Sequence, residues 1–242
     1  MIHSAGIRVV DAWIDHPNIT AVIYALLPGQ ESGNSLVDVL YGDVSPSGRL
    51  PFTVAKNESD YGELLNSTIS SGPFPQDNFT EGLYIDYRHF DLYNITPRFE
   101  FGYGLSYSTF SYSNLTVSAV AGANTARYPR MTSVVPQGGL AALWDVIFTV
   151  ESTISNTGAV AAAEVPQLYI DIATAPKRQL RGFERVQIPC EGSATVAFPV
   201  TRRDLSVWDV VAQKWKLQAG VYPVYVGASS RDVRLTGSIQ IK

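Results

Sequence analysis

Cysteine is almost absent from this sequence. Cys190 is the single one in 242 residues, so no disulfide can form within the chain. Taken alone, that points to a reducing compartment. Histidine is nearly as scarce, with only His3, His16 and His89. Three scattered histidines and one cysteine show no ligand spacing, which argues against a metal centre. With no Gly-x-Ser-x-Gly turn, they also offer no serine-nucleophile triad. No apolar run approaches the roughly 20 residues of a membrane helix. Positive charge is short as well. Lys and Arg number 18 against 22 Asp and Glu, a net charge of -4, whereas a nucleic-acid partner demands a basic surface. The start, Met1-Ile2-His3-Ser4-Ala5-Gly6-Ile7-Arg8, lacks the basic and apolar regions of a signal peptide.

What is present describes a globular protein: 45% hydrophobic and 17% charged residues can build a packed core. Six of the nine asparagines begin an Asn-x-Ser/Thr sequon: Asn18, Asn57, Asn66, Asn78, Asn94 and Asn114. With 38 Ser and Thr in the chain, chance gives about 1.4 such motifs, which mark N-glycosylation acceptors. The excess predicts a secreted, extracellular glycoprotein, and a protein of this size does without disulfides if its core is large. Lacking a leader, the sequence reads as the later part of a longer protein. Cys190 then either finds a partner upstream or is a small buried free thiol.

Along the chain the expected class is α+β overall: an incomplete α/β sandwich remnant followed by a fibronectin type III-like β-sandwich. Residues 1–55 read as the tail of an α/β unit. Ala21–Leu27 has the pattern of a strand buried on both faces, and Pro28-Gly29 ends it. Ser35 with Asp38 predicts a capping box. Leu36, Val37, Val39, Leu40 and Tyr41 supply a helical apolar face, and Gly42 suits the C-terminal cap. One and a half α/β units cannot complete a doubly wound sheet. Val22, Ile23, Leu26 and the 36–40 helix are therefore expected to expose apolar surface. Residues 56–105 read as an aromatic-rich connector packed between domains, with Phe74, Phe79, Tyr84, Tyr87, Phe90, Tyr93, Phe99 and Phe101. Residues 106–242 read as all-β, with strands at 109–117, 142–154, 165–172, 181–188, 194–200, 205–210, 220–227 and 233–241. Short strands at this density suggest an immunoglobulin or fibronectin type III sandwich. The small, polar stretch 119–139 reads as a flexible insertion.

The Gly29-Gln30-Glu31-Ser32-Gly33 loop invites a phosphate-binding reading, but it matches neither the P-loop nor the dinucleotide pattern. Glu31 would repel a phosphate at the helix start. Its alternatives are a helix cap, an arginine pair, or a place on a cleft rim at the carboxyl end of a strand. Glu81, Asp86, Asp91 and Glu100, set among Arg88 and Arg98, could supply the two carboxylates of a glycosidase. Nothing in the sequence sets the ~5 or ~8 Å separation that reaction needs, so salt bridges are the expected use. The residues by themselves show no complete catalytic site, no metal ligands and no cofactor motif.

Five ordered segments carry a resemblance: LPGQESGNSLVDVLYGDVSPSGRLPFT (27–53), EGLYIDYRHFD (81–91), PRFEFGYGLSY (97–107), QLRGFE (179–184) and TRRDLSVWD (201–209). Together they resemble fungal β-glucosidases of glycoside hydrolase family 3, over essentially all of the chain except 119–139. The resemblance implies that the 29–33 loop belongs to the last strand–helix unit of the family's α/β sandwich domain and faces a sugar cleft. It implies a retaining hydrolase that releases terminal non-reducing β-D-glucosyl residues from substrates such as cellobiose. It also implies that the nucleophilic aspartate and the acid/base glutamate, the latter in a Gly-Glu-Gly-Tyr-like loop, lie before Met1. No catalytic residue carries over to a position here, and missing N-terminal domains are the implied intramolecular partners. The chain alone is then expected to be inactive. The alternative is a non-catalytic β-sandwich module that binds polysaccharide or protein.

Overall fold

The computed structural model describes residues 1–65, 79–132, 134–135 and 137–242. Asn66, Phe74 and Asn78 lie outside the described residues. The chain divides into two units, Met1–Leu105 and Ser106–Lys242.

The first unit contains helix α1 (Ser32–Tyr41), a 3-10 stretch (Glu58–Leu65) and helix α2 (Tyr87–Leu92). Ala21–Leu27 is not a strand buried on both faces. Its one ladder contact is a parallel bridge between Ile2 and Tyr24, where Ile2 N donates to Ile23 O at 2.8 Å and Ala25 N to Ile2 O at 3.0 Å. An apolar run extends a sheet only where other strands flank it, and here a single residue pairs with it. Val22, Ile23 and Leu26 are half-buried, and Leu27 is exposed.

Helix α1 begins at Ser32, three residues before the expected cap, and Glu31 takes the N-cap place without a side-chain bond to the backbone. Ser35 therefore sits inside the first turn, and its hydroxyl donates to Glu31 O at 2.8 Å. A serine one turn into a helix bonds back to the carbonyl four residues earlier, so Ser35 and Asp38 form no capping box. The end matches expectation: Gly42 adopts the left-handed conformation at φ 88° and closes the helix on Val39 O. No residue of α1 is buried. Leu36 and Val39 are half-buried, while Val37, Leu40 and Tyr41 are exposed.

Unit two is a β-sandwich. Its strands are β1 (Phe110–Ala119), β2 (Val146–Asn156), β3 (Ala162–Glu164), β4 (Gln167–Ile170), β5 (Gln179–Phe183), β6 (Val186–Ile188), β7 (Ser193–Thr201), β8 (Ser206–Asp209), β9 (Lys214–Leu217), β10 (Gly220–Gly227) and β11 (Val233–Ile241). One sheet has the order β1-β2-β7 and the other β11-β10-β4-β5, with the pairs β3-β6 and β8-β9 beside them. All these pairings are antiparallel. Period-two burial supplies the core: Val150 and Ile154 from β2, Val196, Phe198 and Val200 from β7, Tyr222, Val224 and Val226 from β10. Tyr222 lies at the start of β10, and its hydroxyl donates to Gln218 O at 2.7 Å and accepts from Gln218 N at 3.0 Å. That local tie is the tyrosine-corner arrangement of immunoglobulin-like sandwiches.

The strand expectations need three corrections. Residues 142–145 precede β2 as a 3-10 turn and its exit. The 181–188 run is two strands in different sheets, broken where Glu184 N turns to bond Pro166 O at 3.3 Å. Strands β3 and β9 were not expected, because three or four residues are too few to display a period. The 119–139 stretch is also not loose from the sandwich. Ala123 packs on the core, and Pro129 is buried. The guanidinium of Arg202, itself 1% exposed, donates to Asn124 O at 2.8 Å and to Ala126 O. Burial lowers the Arg202 pKa. Those two carbonyls compensate for the desolvation of its charge.

Candidate functional site

Three of the resembling segments meet in the first unit. Residues 50–54 run antiparallel to 98–103: Gly102 N donates to Leu50 O at 2.8 Å, Leu50 N to Tyr103 O at 2.9 Å, and Val54 N to Phe99 O at 2.8 Å. At the turn beyond, a Cβ on Gly104 would stand 2.4 Å from Gly48 O, so only glycine lets the two backbones approach this closely. The 81–91 segment is tied in by Asp86, whose carboxylate accepts from Thr53 N at 3.0 Å, Thr53 Oγ1 at 2.6 Å and Tyr87 N at 2.6 Å. Asp86 thereby caps α2 and clamps it to the buried Thr53. Beneath lie Ala55, Tyr61 and Phe90, with Ile7 and Ile95 against them. Tyr61 and Phe90 meet edge to face at 5.6 Å. The Tyr61 hydroxyl donates to Thr53 O and accepts from Ala55 N, both at 2.9 Å, and burial raises its pKa. Phe99 stacks on Tyr103 at 5.4 Å, and Tyr87 packs on Phe101 at 4.8 Å. Tyr87, Phe90, Phe99 and Phe101 thus pack within this unit, whereas Phe79 and Tyr93 are exposed.

Of the carboxylates that sequence offered as a glycosidase pair, Asp86 is spent on local structure. Asp86 is saturated by the three donors above. Arg98 does not pair with its sequence neighbours but reaches back to Asp11 at 2.5 Å and to Asp15 at 3.0 Å. That hydrogen bond holds the Asp11 carboxyl below the usual carboxylate range and raises the Arg98 pKa. Glu31 is exposed and accepts from Asn34 Nδ2 at 2.7 Å, so its side chain is steered by its own helix. Of its alternatives, the helix cap is not made, since the side chain bonds no backbone N–H. His89 packs against Phe90 and Tyr93, and its Nε2 donates to Asp60 O at 3.1 Å. His16 Nδ1 accepts from Asn18 N at 3.2 Å in a turn. Among the described residues no cluster of three or more His, Cys, Asp and Glu could hold a metal.

Four sequon asparagines are described, Asn18, Asn57, Asn94 and Asn114, and all four are exposed. Cys190 is not a buried thiol. It is exposed, and its Sγ donates to Gly158 O at 3.3 Å. It follows Pro189 at the turn between β6 and β7, where the side chain has no core to enter.

Unit two holds aromatic residues that sequence reasoning passed over. Trp208 on β8 and Trp215 on β9 stand directly opposite one another, edge to face with centroids 5.4 Å apart. The guanidinium of Arg203 covers the Trp215 ring at 3.4 Å. Asp209 closes the hairpin by accepting from Val211 N and Ala212 N, and takes the Tyr128 hydroxyl at 2.9 Å. These bonds, led by that from Ala212 N, lower the Asp209 pKa. The readable signal was two tryptophans placed symmetrically about a four-residue turn.

A mixed first unit followed by a fibronectin type III-like sandwich is the class this fold defines. Residues 1–107 match the Glycosyl hydrolase family 3 C-terminal domain, and residues 164–230 match the Fibronectin type III-like domain. Probable beta-glucosidase M of Aspergillus flavus is 57% identical over 243 residues, spanning 99% of this chain and 32% of that protein. Probable beta-glucosidase D of Emericella nidulans is 54% identical over 245 residues, spanning 100% of this chain and 29% of its own length. Among solved structures, Beta-D-glucoside glucohydrolase from Trichoderma reesei superposes with a TM-score of 0.89 at 47% identity, over 99% of this chain and 33% of that one. The chain thus carries a Glycosyl hydrolase family 3 C-terminal domain and a Fibronectin type III-like domain, and it spans about a third of the length of the curated relatives it matches.

Proposed function

We propose that this chain is the C-terminal part of a secreted, retaining β-glucosidase. The whole enzyme would remove terminal non-reducing β-D-glucosyl residues from cellulose-derived oligosaccharides such as cellobiose, and the chain alone would be inactive. One observation carries this reading: a probable beta-glucosidase 57% identical matches 99% of the chain, while the chain spans 32% of it. Inactivity of the part is supported by its carboxylates. Retention needs two of them about 5 Å apart across the scissile bond, one unencumbered enough to attack and one able to give a proton. Asp86, Asp11 and Asp15 are instead spent on hydrogen bonds and ion pairs. Glu31, exposed and steered by Asn34, is assigned to the rim of the sugar cleft, where a carboxylate accepts from substrate hydroxyls. Secretion and N-glycosylation are supported by the exposed sequons at Asn18, Asn57, Asn94 and Asn114.

The test is hydrolysis of a chromogenic aryl β-glucoside by the purified chain, alone and fused behind the N-terminal two-thirds of the Aspergillus flavus relative. The expected result is no turnover alone and restored turnover in the fusion. Turnover by the chain alone, abolished by Glu31→Gln, would instead place a catalytic carboxylate at the start of α1.

A further inference from the structure

The tryptophan corner of unit two serves neither the sandwich core nor the proposed hydrolysis. Trp208 is 45% exposed, so its ring contributes only part of its area to folding. The β8–β9 hairpin and residues Pro129, Met131, Val135, Leu140 and Leu143 enclose a cleft of about 250 Å³, with Trp208 and Trp215 on its walls and Gln213 and Lys214 at its polar positions. We propose that this cleft binds a neutral β-glucan chain, with one pyranose ring stacked on the Trp208 indole.

The hairpin side of the cleft is held in place before any ligand arrives. Trp215 is covered on one face by Arg203 and fixes the edge-to-face angle of 67° with Trp208. The 123–129 segment is pinned by Arg202 and by the Tyr128–Asp209 hydrogen bond. A pre-formed site loses less entropy on binding. The chemistry of the walls selects the ligand. None of the described lining residues is acidic, and Lys214 is the one cation, so the site suits neither a metal ion nor a polyanion. Apolar rings with a few donors at the edge suit a molecule with a flat C–H face and peripheral hydroxyls. A β-linked glucose has all its ring substituents equatorial, so both faces are flat. An axial hydroxyl, as on galactose or mannose, obstructs one face. The choice of glucan rests on the β-glucosidase reading, whereas the stacking site itself rests on the cleft.

The experiment uses the 242-residue chain. It is titrated with cellohexaose, mannohexaose and a galactan oligomer, and binding is followed by calorimetry and by the indole N–H resonances of its tryptophans. Cellohexaose is expected to bind saturably and to shift the Trp208 and Trp215 signals but not that of Trp13. Trp208→Ala is expected to weaken binding about tenfold or more, and Trp208→Phe to retain part of it. Because the resonances are read on the unmodified chain, the test survives a variant that fails to fold. Absence of saturable binding, shifts that spare Trp208, or equal binding of the galactan would each overturn the inference. Binding is read without turnover. Cellohexaose that binds while the fusion enzyme cleaves no glucoside leaves this site standing and removes the hydrolase reading; cleavage without binding does the reverse.

Discussion

Among the described residues, the buried apolar cluster between Met1 and Leu105 consists of Ala55, Tyr61 and Phe90, whereas that of Ser106–Lys242 holds eighteen. Each fully buried large side chain is worth about 1.5–3 kcal/mol, so the sandwich is stabilised mainly by burial shared among many strands. The first unit depends on individual polar ties: Asp86 to Thr53, Arg98 to Asp11 and Asp15, and the close approach of Gly104 to Gly48. It also leaves Val37, Leu40 and Tyr41 exposed on a helix that buries nothing. The difference shows that two parts of one chain can be well formed locally and yet differ in how far they stand by themselves.

The largest expected effect breaks the sandwich. Phe198→Ala should cost about 3–5 kcal/mol, read as a lower denaturant midpoint of the major unfolding transition. A smaller loss than that of Asp86→Ala would reverse the comparison. Limited proteolysis should sharpen it, with early cuts before residue 105 and a resistant product that begins near Ser106. Early trimming of the sandwich would contradict the ranking. Asp86→Ala removes a charged acceptor from three donors and should cost about 1.5–3 kcal/mol, confined to the transition of the first unit. The smallest effect is Arg98→Met, because the Asp15 side chain of its ion pair is 75% exposed and such pairs are weak. Its signature is pH dependence. The Asp11 pKa is lowered from 3.8 in the folded chain, chiefly by its hydrogen bond to Arg98. The stabilisation is therefore complete above that value and lost as pH falls through the folded pKa. Wild type and Arg98→Met should differ at neutral pH and converge in acid; a gap that persists in acid would assign the role of Arg98 to packing.

Legibility followed the same division. The bounds of β10 and β11 could be read directly, because alternation over eight or nine residues has one strand solution. Gly42 was legible as the end of α1, since a left-handed cap selects glycine. Ala21–Leu27 was misread because composition reports an apolar run but not what lies beside it. The start of α1 was misread because Ser35 is as good a cap by type as by position it is poor. The tryptophan corner escaped because Trp208 was read as a strand residue and Trp215 fell in no expected strand, and only the hairpin register sets the two against each other.

By itself, the sequence determined the family resemblance, the sandwich class and the hydrophobic face of its longer strands. These rest on residue order and on a period of two that the backbone enforces. Tertiary structure alone decided which groups meet. Asp86 is 33 residues from Thr53, Arg98 is 87 from Asp11, and Arg202 is 78 from Asn124. Hydrogen bonds and ring contacts act over a few ångströms, and nothing local in a chain records which distant residue folding brings within that range.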